Sequence, residues 1–288
     1  MKVGTITFHC AYNFGSALQT YALKKYLTDL GHDVHVIDYR SENFRDYRIF
    51  RRYSYKSYFK DLLFLSGNLR RRKSFQEFWR THFNLTDCTY EGPDAERLLA
   101  LDFKDYDALI CGSDQIWNPF SLANPKSGFF YADFTKQKKI AYAPSIGISK
   151  MPDEYRDRFR SLIKDFSFLS ATEPQGQQIM EELSGKFVAN VADPTLLLDK
   201  TRWEMLLPKQ EGVKDKYILG YFLTSNPIYI EAARKYAHSH GYKFKMFYTD
   251  KTYYNEADEV ITAGPIEFLE AIHNAEYLFT DSFHGSIF

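Results

Sequence analysis

Short apolar runs, each closed by a polar turn and followed by helical spacing, recur from one end of this chain to the other. Residues 3–8 form the first run. A turn holding Asn13 and Gly15 follows; then Leu23, Leu27 and Leu30 share one helical face, and Gly31 ends the pattern. Residues 34–37 form a second run, closed by Asp38. Further strands are read at 107–111, 140–143 and 166–169, with a charged amphipathic helix at 151–164. Ser170 and Glu173 then have the spacing of a capping box at a helix start. After a transition at 191–215 the rhythm resumes. A strand at 217–223 leads to a helix opened by Asn226-Pro227, a strand at 242–247, a short helix at 265–274 and a strand at 277–280. A chain that keeps returning strand, turn and helix in this order is restricted to a largely parallel sheet with helices on both faces.

The length of 288 residues allows two domains. Two α/β domains with a cleft between them are expected, residues 1–200 and 201–288. In the second, only three strands and two helices are read. It is therefore expected to be incomplete.

Charge excludes little globally, since 37 basic residues balance 37 acidic ones, and gives no case for nucleic acid. The balance breaks at 45–73, where ten Lys or Arg meet two acidic residues among seven Tyr or Phe. Helical in parts, that stretch suits a diphosphate or an anionic membrane surface; a solvated helix face is the plainer reading. Three distant cysteines, Cys10, Cys88 and Cys111, argue against a disulfide framework and a cysteine-rich zinc site. No histidine spacing suggests a metal, and no cofactor is expected. With no signal peptide at Met1 and no apolar run long enough to span a bilayer, a cytoplasmic protein is expected.

Ligands of open α/β sheets bind outside the carboxyl ends of the strands, and three polar clusters fall there. Asn13, Gly15, Ser16 and Gln19 follow the first strand, where helix-start N–H groups lack internal partners; helix capping is the alternative. Ser113, Asp114, Gln115 and Trp117 follow the third strand and suit a polyhydroxylated substrate, with Asp114 able to take a hydroxyl proton. A capping Asp114 and a core Trp117 would be the structural alternative. Asp281, Ser282, His284, Gly285 and Ser286 follow the last strand, where a histidine and a helix start favour phosphate. His9, after the first strand, is a weaker candidate of the same kind, and Asp38 is weak support for a dinucleotide.

In order along the chain, Asn13-Phe-Gly-Ser-Ala-Leu-Gln19, Gly112-Ser-Asp-Gln-Ile-Trp117, Ala143-Pro-Ser-Ile-Gly147, Asp193-Pro-Thr-Leu-Leu-Leu198, Gly264-Pro-Ile-Glu-Phe-Leu269 and Thr280-Asp-Ser-Phe-His-Gly285 resemble the polysaccharide pyruvyl transferase family. The resemblance implies two Rossmann-like domains facing across a cleft, as in GT-B glycosyltransferases. It implies transfer of a pyruvyl group from phosphoenolpyruvate onto two hydroxyls of a saccharide, forming a cyclic ketal in exopolysaccharide or cell-surface glycan synthesis. His284 would contact phosphate or deliver a proton, Asp114 would act as base or acceptor orienter, and Asp281 would orient. Ser282, Gly285 and Ser286 would line the donor end. Asn13, Gly15, Ser16, Gln19, Ser113, Gln115 and Trp117 would line the acceptor end. Beside the resemblance, the basic stretch at 45–73 suits an acceptor carried on a lipid diphosphate, with that stretch against the inner membrane face. One departure stands out: family members commonly read Ser-Val-Arg-Glu after the fifth strand, whereas this chain has Ser170-Ala-Thr172-Glu173. Thr172 lacks the charged fork an arginine offers a carboxylate or phosphate. The alternatives are a glycosyltransferase using a nucleotide-sugar donor and a catalytically weak saccharide-binding relative.

Overall fold

The computed structural model describes residues 1–40, 65–91, 95–121, 128–209, 216–224, 226–247 and 256–288. The chain divides into two compact units, Met1–Arg51 with Trp79–Leu198, and Arg52–Phe78 with Asp199–Phe288. In chain order the elements begin β1 (Lys2–Ile6), α1 (Phe14–Asp29), β2 (Asp33–Val36), β3 (Tyr39–Arg40), α2 (Leu65–His82), β4 (Tyr90–Glu91) and α3 (Ala95–Asp102). They continue β5 (Ala108–Cys111), β6 (Lys138–Ala141), α4 (Asp153–Ile163), β7 (Ser170–Ala171), α5 (Pro174–Ser184) and β8 (Ala189–Asn190). The second unit adds α6 (Lys200–Glu204), β9 (Tyr217–Tyr221), α7 (Pro227–Ser239), β10 (Lys243–Phe247), β11 (Glu259–Ile261), α8 (Pro265–His273), β12 (Tyr277–Thr280) and α9 (Phe283–Ile287).

In the first unit, β2-β1-β5-β6 form a parallel sheet. Val3 lies opposite Val34 on one side and Ala108 on the other, which fixes the register. All four residues of β5 are buried. That is the signature of a central parallel strand covered on both faces, and it explains why its sequence, Ala-Leu-Ile-Cys, shows no alternation. Parallel bridges at Val36–Leu85 and Ile140–Phe168 carry the pairing outward toward the short pairs β3–β4 and β7–β8. Helix α1 is buried continuously from Phe14 to Leu23. Asn13 caps its start by accepting from the Ser16 N–H at 3.1 Å. Gly31, at φ +84°, turns the chain toward β2.

Much of the chain's aromatic content serves this core. Trp117 stacks on Tyr131 at 5.1 Å and meets the edges of Phe159 and Phe166. Phe103, Phe129 and Phe130 join them, all at most 1% exposed.

The second unit is a parallel sheet ordered β11-β10-β9-β12. Ile218, Phe244 and Met246 pack there against Ile230, Ala233 and Ala237 of α7.

Four sequence expectations change. The strand read at 166–169 is a single bridge at Phe168, and the strand proper is β7 at Ser170–Ala171. The second unit has a fourth strand, β11, which Glu259-Val-Ile261 is too short and too polar to announce. Residues up to Phe78 of α2 group with the second unit rather than with 1–200. The reason is packing: a Cβ added to Gly264 would lie 2.4 Å from Ser74 Cβ, so the two backbones meet closely. The capping box at Ser170 and Glu173 does not form. Ser170 sits inside β7, where its hydroxyl donates to Ala141 O at 2.8 Å and accepts from Ala143 N–H at 2.9 Å. Helix α5 starts after Glu173, which makes no side-chain cap.

Candidate functional site

The carboxyl end of β5 is a tight polar knot. Gly112 has φ +129°, and a Cβ there would fall 1.9 Å from Tyr142 O, so only glycine lets the two turns approach this closely. Ser113 follows, 1% exposed. Its N–H donates to Gln19 Oε1 at 3.2 Å, and its hydroxyl lies 3.0 Å from Ala143 O and 2.9 Å from Asp193 Oδ2. Its carbonyl accepts from Thr7 Oγ1 at 2.9 Å. Gln19, fully buried, donates to Thr7 Oγ1 at 2.8 Å and to Ser16 O at 2.9 Å. Thr7, Gln19 and Ser113 thus satisfy one another's buried polar groups.

Asp114 emerges from this knot half-buried, with φ +73°. A non-glycine residue in the left-handed region costs roughly 1 kcal/mol, and such strain gathers where a side chain must be aimed. Ser145 N–H holds its carbonyl at 2.8 Å. Its carboxylate accepts from Gln115 N–H at 2.7 Å through Oδ1 and from the Ser16 hydroxyl through Oδ2. The acidic turn after β5 is thereby tied to the first turn of α1. A carboxylate with two donors already in place is oriented, and it retains acceptor capacity for a hydroxyl. Gln115 is exposed beside it, its Oε1 accepting from Asn118 Nδ2 at 3.2 Å.

The structure thus brings Asn13, Ser16, Gln19, Ser113, Asp114 and Gln115 together in the first unit. Gly15 is buried in the first turn of α1. Trp117 corrects the sequence reading. It is 0% exposed, and its indole N–H donates to Phe130 O at 2.9 Å, so it anchors the turn from below and offers no face to a saccharide. Gln19 and Ser113 are likewise buried and occupied, so they hold the turn in place instead of lining a binding surface.

In the second unit, Asp281 accepts from Leu223 N–H at 2.6 Å, from Thr224 N–H at 3.1 Å and from the Thr224 hydroxyl. Burial pushes its pKa up, but these hydrogen bonds outweigh it and hold the carboxyl below its ordinary value. Asp281 therefore clamps the turn after β9 and does not orient His284, a correction to its catalytic assignment. Ser282 caps α9 by accepting from Gly285 N–H at 3.2 Å, and it hydrogen-bonds Tyr221. It is 5% exposed, a capping residue rather than a donor contact. Gly285 is buried because a Cβ there would lie 2.7 Å from Thr280 Oγ1 and 2.9 Å from Tyr221 Cδ1. It permits close packing and presents no surface. His284 is half-buried on α9, its ring 5.2 Å from the exposed Phe283 ring. Ser286 is exposed, its hydroxyl donating to Phe283 O at 2.7 Å.

His9 and Asp38 form a separate buried pair, with Nε2 3.0 Å from Oδ1. Arg40 Nη2 donates to Asp38 Oδ2 at 2.8 Å, and Thr89 Oγ1 does so at the same distance. Asp38 thus closes β2 onto β3 and β4 and is not placed for a ribose. Of the basic stretch, 45–64 lies outside the described residues; Arg70 and Lys73 are exposed on α2. Among the described residues, no helix is long and apolar enough to cross a membrane, and no group of three His, Cys, Asp or Glu is placed to hold a metal.

Sequence reasoning missed Thr7, Ser145, Glu173 and Asp193 as members of the first-unit knot. Asp193 is 3% exposed and accepts from Ser113 Oγ, Thr195 N–H and Thr195 Oγ1. The signal available was Asp-Pro-Thr, an N-cap followed by proline at the first helical position. Ser145 donates its hydroxyl to Glu173 Oε1, which a capping-box reading of Glu173 concealed. Thr172 donates to Ala143 O at 2.8 Å, bracing the turn after β6.

Comparison with known proteins agrees with this architecture. The polysaccharide pyruvyl transferase family matches residues 13–288. No curated protein matches. Among solved structures, UDP-GlcNAc 2-epimerase from Methanocaldococcus jannaschii is similar with a TM-score of 0.51 at 12% identity, over 98% of this chain and 79% of that one. The E. coli heptosyltransferase WaaC with ADP-2-deoxy-2-fluoro heptose gives 0.44 at 13% identity, over 100% of this chain and 85% of that one. UDP-GlcNAc 2-epimerase from Neisseria meningitidis bound to UDP-GlcNAc gives 0.44 at 13% identity, over 100% and 74%. The fold is α/β, with two Rossmann-like units of the GT-B type.

Proposed function

Because the chain belongs to the polysaccharide pyruvyl transferase family, we propose that it transfers the pyruvyl group of phosphoenolpyruvate onto two hydroxyls of one saccharide, releasing phosphate and closing a cyclic ketal. A proton reaches the methylene carbon, which makes the neighbouring carbon electrophilic. One hydroxyl oxygen adds to it, the carbon–oxygen bond to phosphate breaks, and the second hydroxyl oxygen closes the ring. Of the two protons the hydroxyls shed, one balances the new methyl group and the other leaves with phosphate.

The observation that carries this reading is the carboxylate of Asp114, aimed from a left-handed turn at the carboxyl end of the central strand and steadied by Ser16 and Gln115. A fixed carboxylate with spare acceptor capacity suits the removal of a hydroxyl proton. His284 takes the phosphate end, where an imidazolium both balances charge and can pass a proton. Gln115 and Asn13 offer the acceptor further polar contacts, and Ser286 serves the donor. The acceptor is a glycan carried on a lipid diphosphate, with the basic stretch at 45–73 steadying the protein at the inner membrane face.

The test is phosphate release from phosphoenolpyruvate with a panel of lipid-linked glycans. Release that depends on one of them supports the proposal. Binding of nucleotide sugars with indifference to phosphoenolpyruvate would point to glycosyl transfer. Saccharide binding with no release under any condition would leave a binding protein.

A further inference from the structure

The reaction proposed above brings a doubly charged phosphate and a carboxylate to the turn after β12, and that charge calls for a cation; Thr172, uncharged and turned to Ala143 O, supplies none. Helix α2 offers a cation from elsewhere in the sequence. Gly67, Arg71 and Ser74 recur at i, i+4 and i+7, so they share one face of that helix. Both flanking positions pack where β11 ends. A Cβ on Gly67 would lie 3.6 Å from Thr262 Oγ1, and one on Gly264 would lie 2.4 Å from Ser74 Cβ. That face therefore lies along the carboxyl end of the second sheet, with Arg71 between its two contact points.

Tyr221 links the helix to the His284 turn. It ends β9, hydrogen-bonds Ser282 and lies 2.9 Å from where a Gly285 Cβ would sit. Burial pushes the Tyr221 hydroxyl up to about 12, and the positive charge of Arg71 is felt there as an opposing pull. The Arg71 guanidinium is half-buried and stands 5.5 Å from the Phe75 ring, which fixes its stem.

Resting on the reading above, we propose that Arg71 is the donor-binding cation of this chain, holding the phosphate of phosphoenolpyruvate beside His284. A guanidinium can present two parallel N–H groups to phosphate oxygens and stays charged at every relevant pH. The cation comes from about 210 residues before the histidine it serves, so no local motif announces it.

The experiment is titration of the full chain with phosphoenolpyruvate by calorimetry, alongside steady-state kinetics with the active acceptor. The variants are Arg71→Gln, Arg71→Lys and, as control, Arg80→Gln, an exposed position near the end of the same helix and outside the basic stretch. Arg71→Gln is expected to weaken phosphoenolpyruvate at least tenfold and raise its KM, with the acceptor KM unchanged. Arg71→Lys should fall between it and the parent, and Arg80→Gln should match the parent. If Arg71→Gln does not fold, Arg71→Lys decides, because it keeps the stem and the charge but not the fork. A parent that binds phosphoenolpyruvate while both Arg71 variants bind it within twofold overturns this inference and leaves the pyruvyl transfer reading standing. A parent that binds no phosphoenolpyruvate overturns both.

Discussion

Ser113 and Asp193, 80 residues apart, meet through a buried hydrogen bond of 2.9 Å. This contact ties the turn that presents Asp114 to the segment that closes the first unit. Asp193 also accepts two hydrogen bonds from Thr195, so its carboxylate organises three donors at once. Asp193→Ala removes the acceptor of both Thr195 donors and leaves the Ser113 hydroxyl with Ala143 O alone. The expected loss is about 2–3 kcal/mol of stability, read from chemical denaturation. A change under 0.5 kcal/mol would show the knot to be incidental.

Two glycines with positive φ separate backbone freedom from space. At Gly31, nothing lies within 4 Å of an added Cβ, so Gly31→Ala meets only the left-handed penalty. It should cost about 1 kcal/mol. At Gly112, the added Cβ would collide with Tyr142 O at 1.9 Å. Gly112→Ala should cost about 3 kcal/mol or more and remove activity. Equal melting temperatures for the two variants would contradict the packing described at β5.

Asp38 predicts an acid limb in the stability curve. Burial raises its pKa, but hydrogen bonds from His9 and Arg40 win and bring it well below the usual carboxylate range. A depressed native pKa means that this carboxylate stabilises the fold above its unfolded pKa, near 4, and that the contribution fades as pH falls below it. Asp38→Asn should therefore lower the melting temperature at pH 7, by on the order of 3 kcal/mol in stability. The gap from the parent should narrow toward pH 2. A constant gap between pH 7 and pH 2 would assign the effect to packing.

Trp117 separates a core role from a binding role. It is enclosed by Tyr131, Phe159 and Phe166 and hydrogen-bonded to Phe130 O. Trp117→Phe should lose on the order of 2 kcal/mol through the vacated volume and the stranded carbonyl. The acceptor KM of the folded variant should be unchanged. A selective rise in that KM with stability intact would restore Trp117 to the binding surface.

The parallel architecture was legible because its signal is repeated: β1, β5, β9 and β12 each read as apolar runs before a polar turn. Asp114 was legible for the same reason, as a carboxylate at a strand's carboxyl end. What escaped the sequence depends on partners far along the chain. Nothing local in Asp193 names Ser113, and Glu173 takes the Ser145 hydroxyl although its spacing from Ser170 suggests a cap. Asp281 stood next to Ser282 and three residues from His284, so proximity suggested orientation of the imidazole. Its partners are instead the N–H groups after β9, which only the strand order brings beside β12. Trp117 shows the opposite limit, since an indole in a polar turn reads as a binding surface until the fold places it in the core.

The central claim is that this chain forms a ketal from phosphoenolpyruvate, with Asp114 and His284 as its working groups. Proton NMR of the product, made in deuterated water by the parent, Asp114→Asn and His284→Ala, tests it most directly. The parent should yield a pyruvyl ketal whose methyl group carries one solvent-derived deuterium, with one phosphate released per ketal. Each variant should make it at least a hundredfold more slowly while keeping the parent's melting temperature. Ketal formation at parental rates by both variants, or a parent that consumes no phosphoenolpyruvate with any glycan acceptor, would contradict the account.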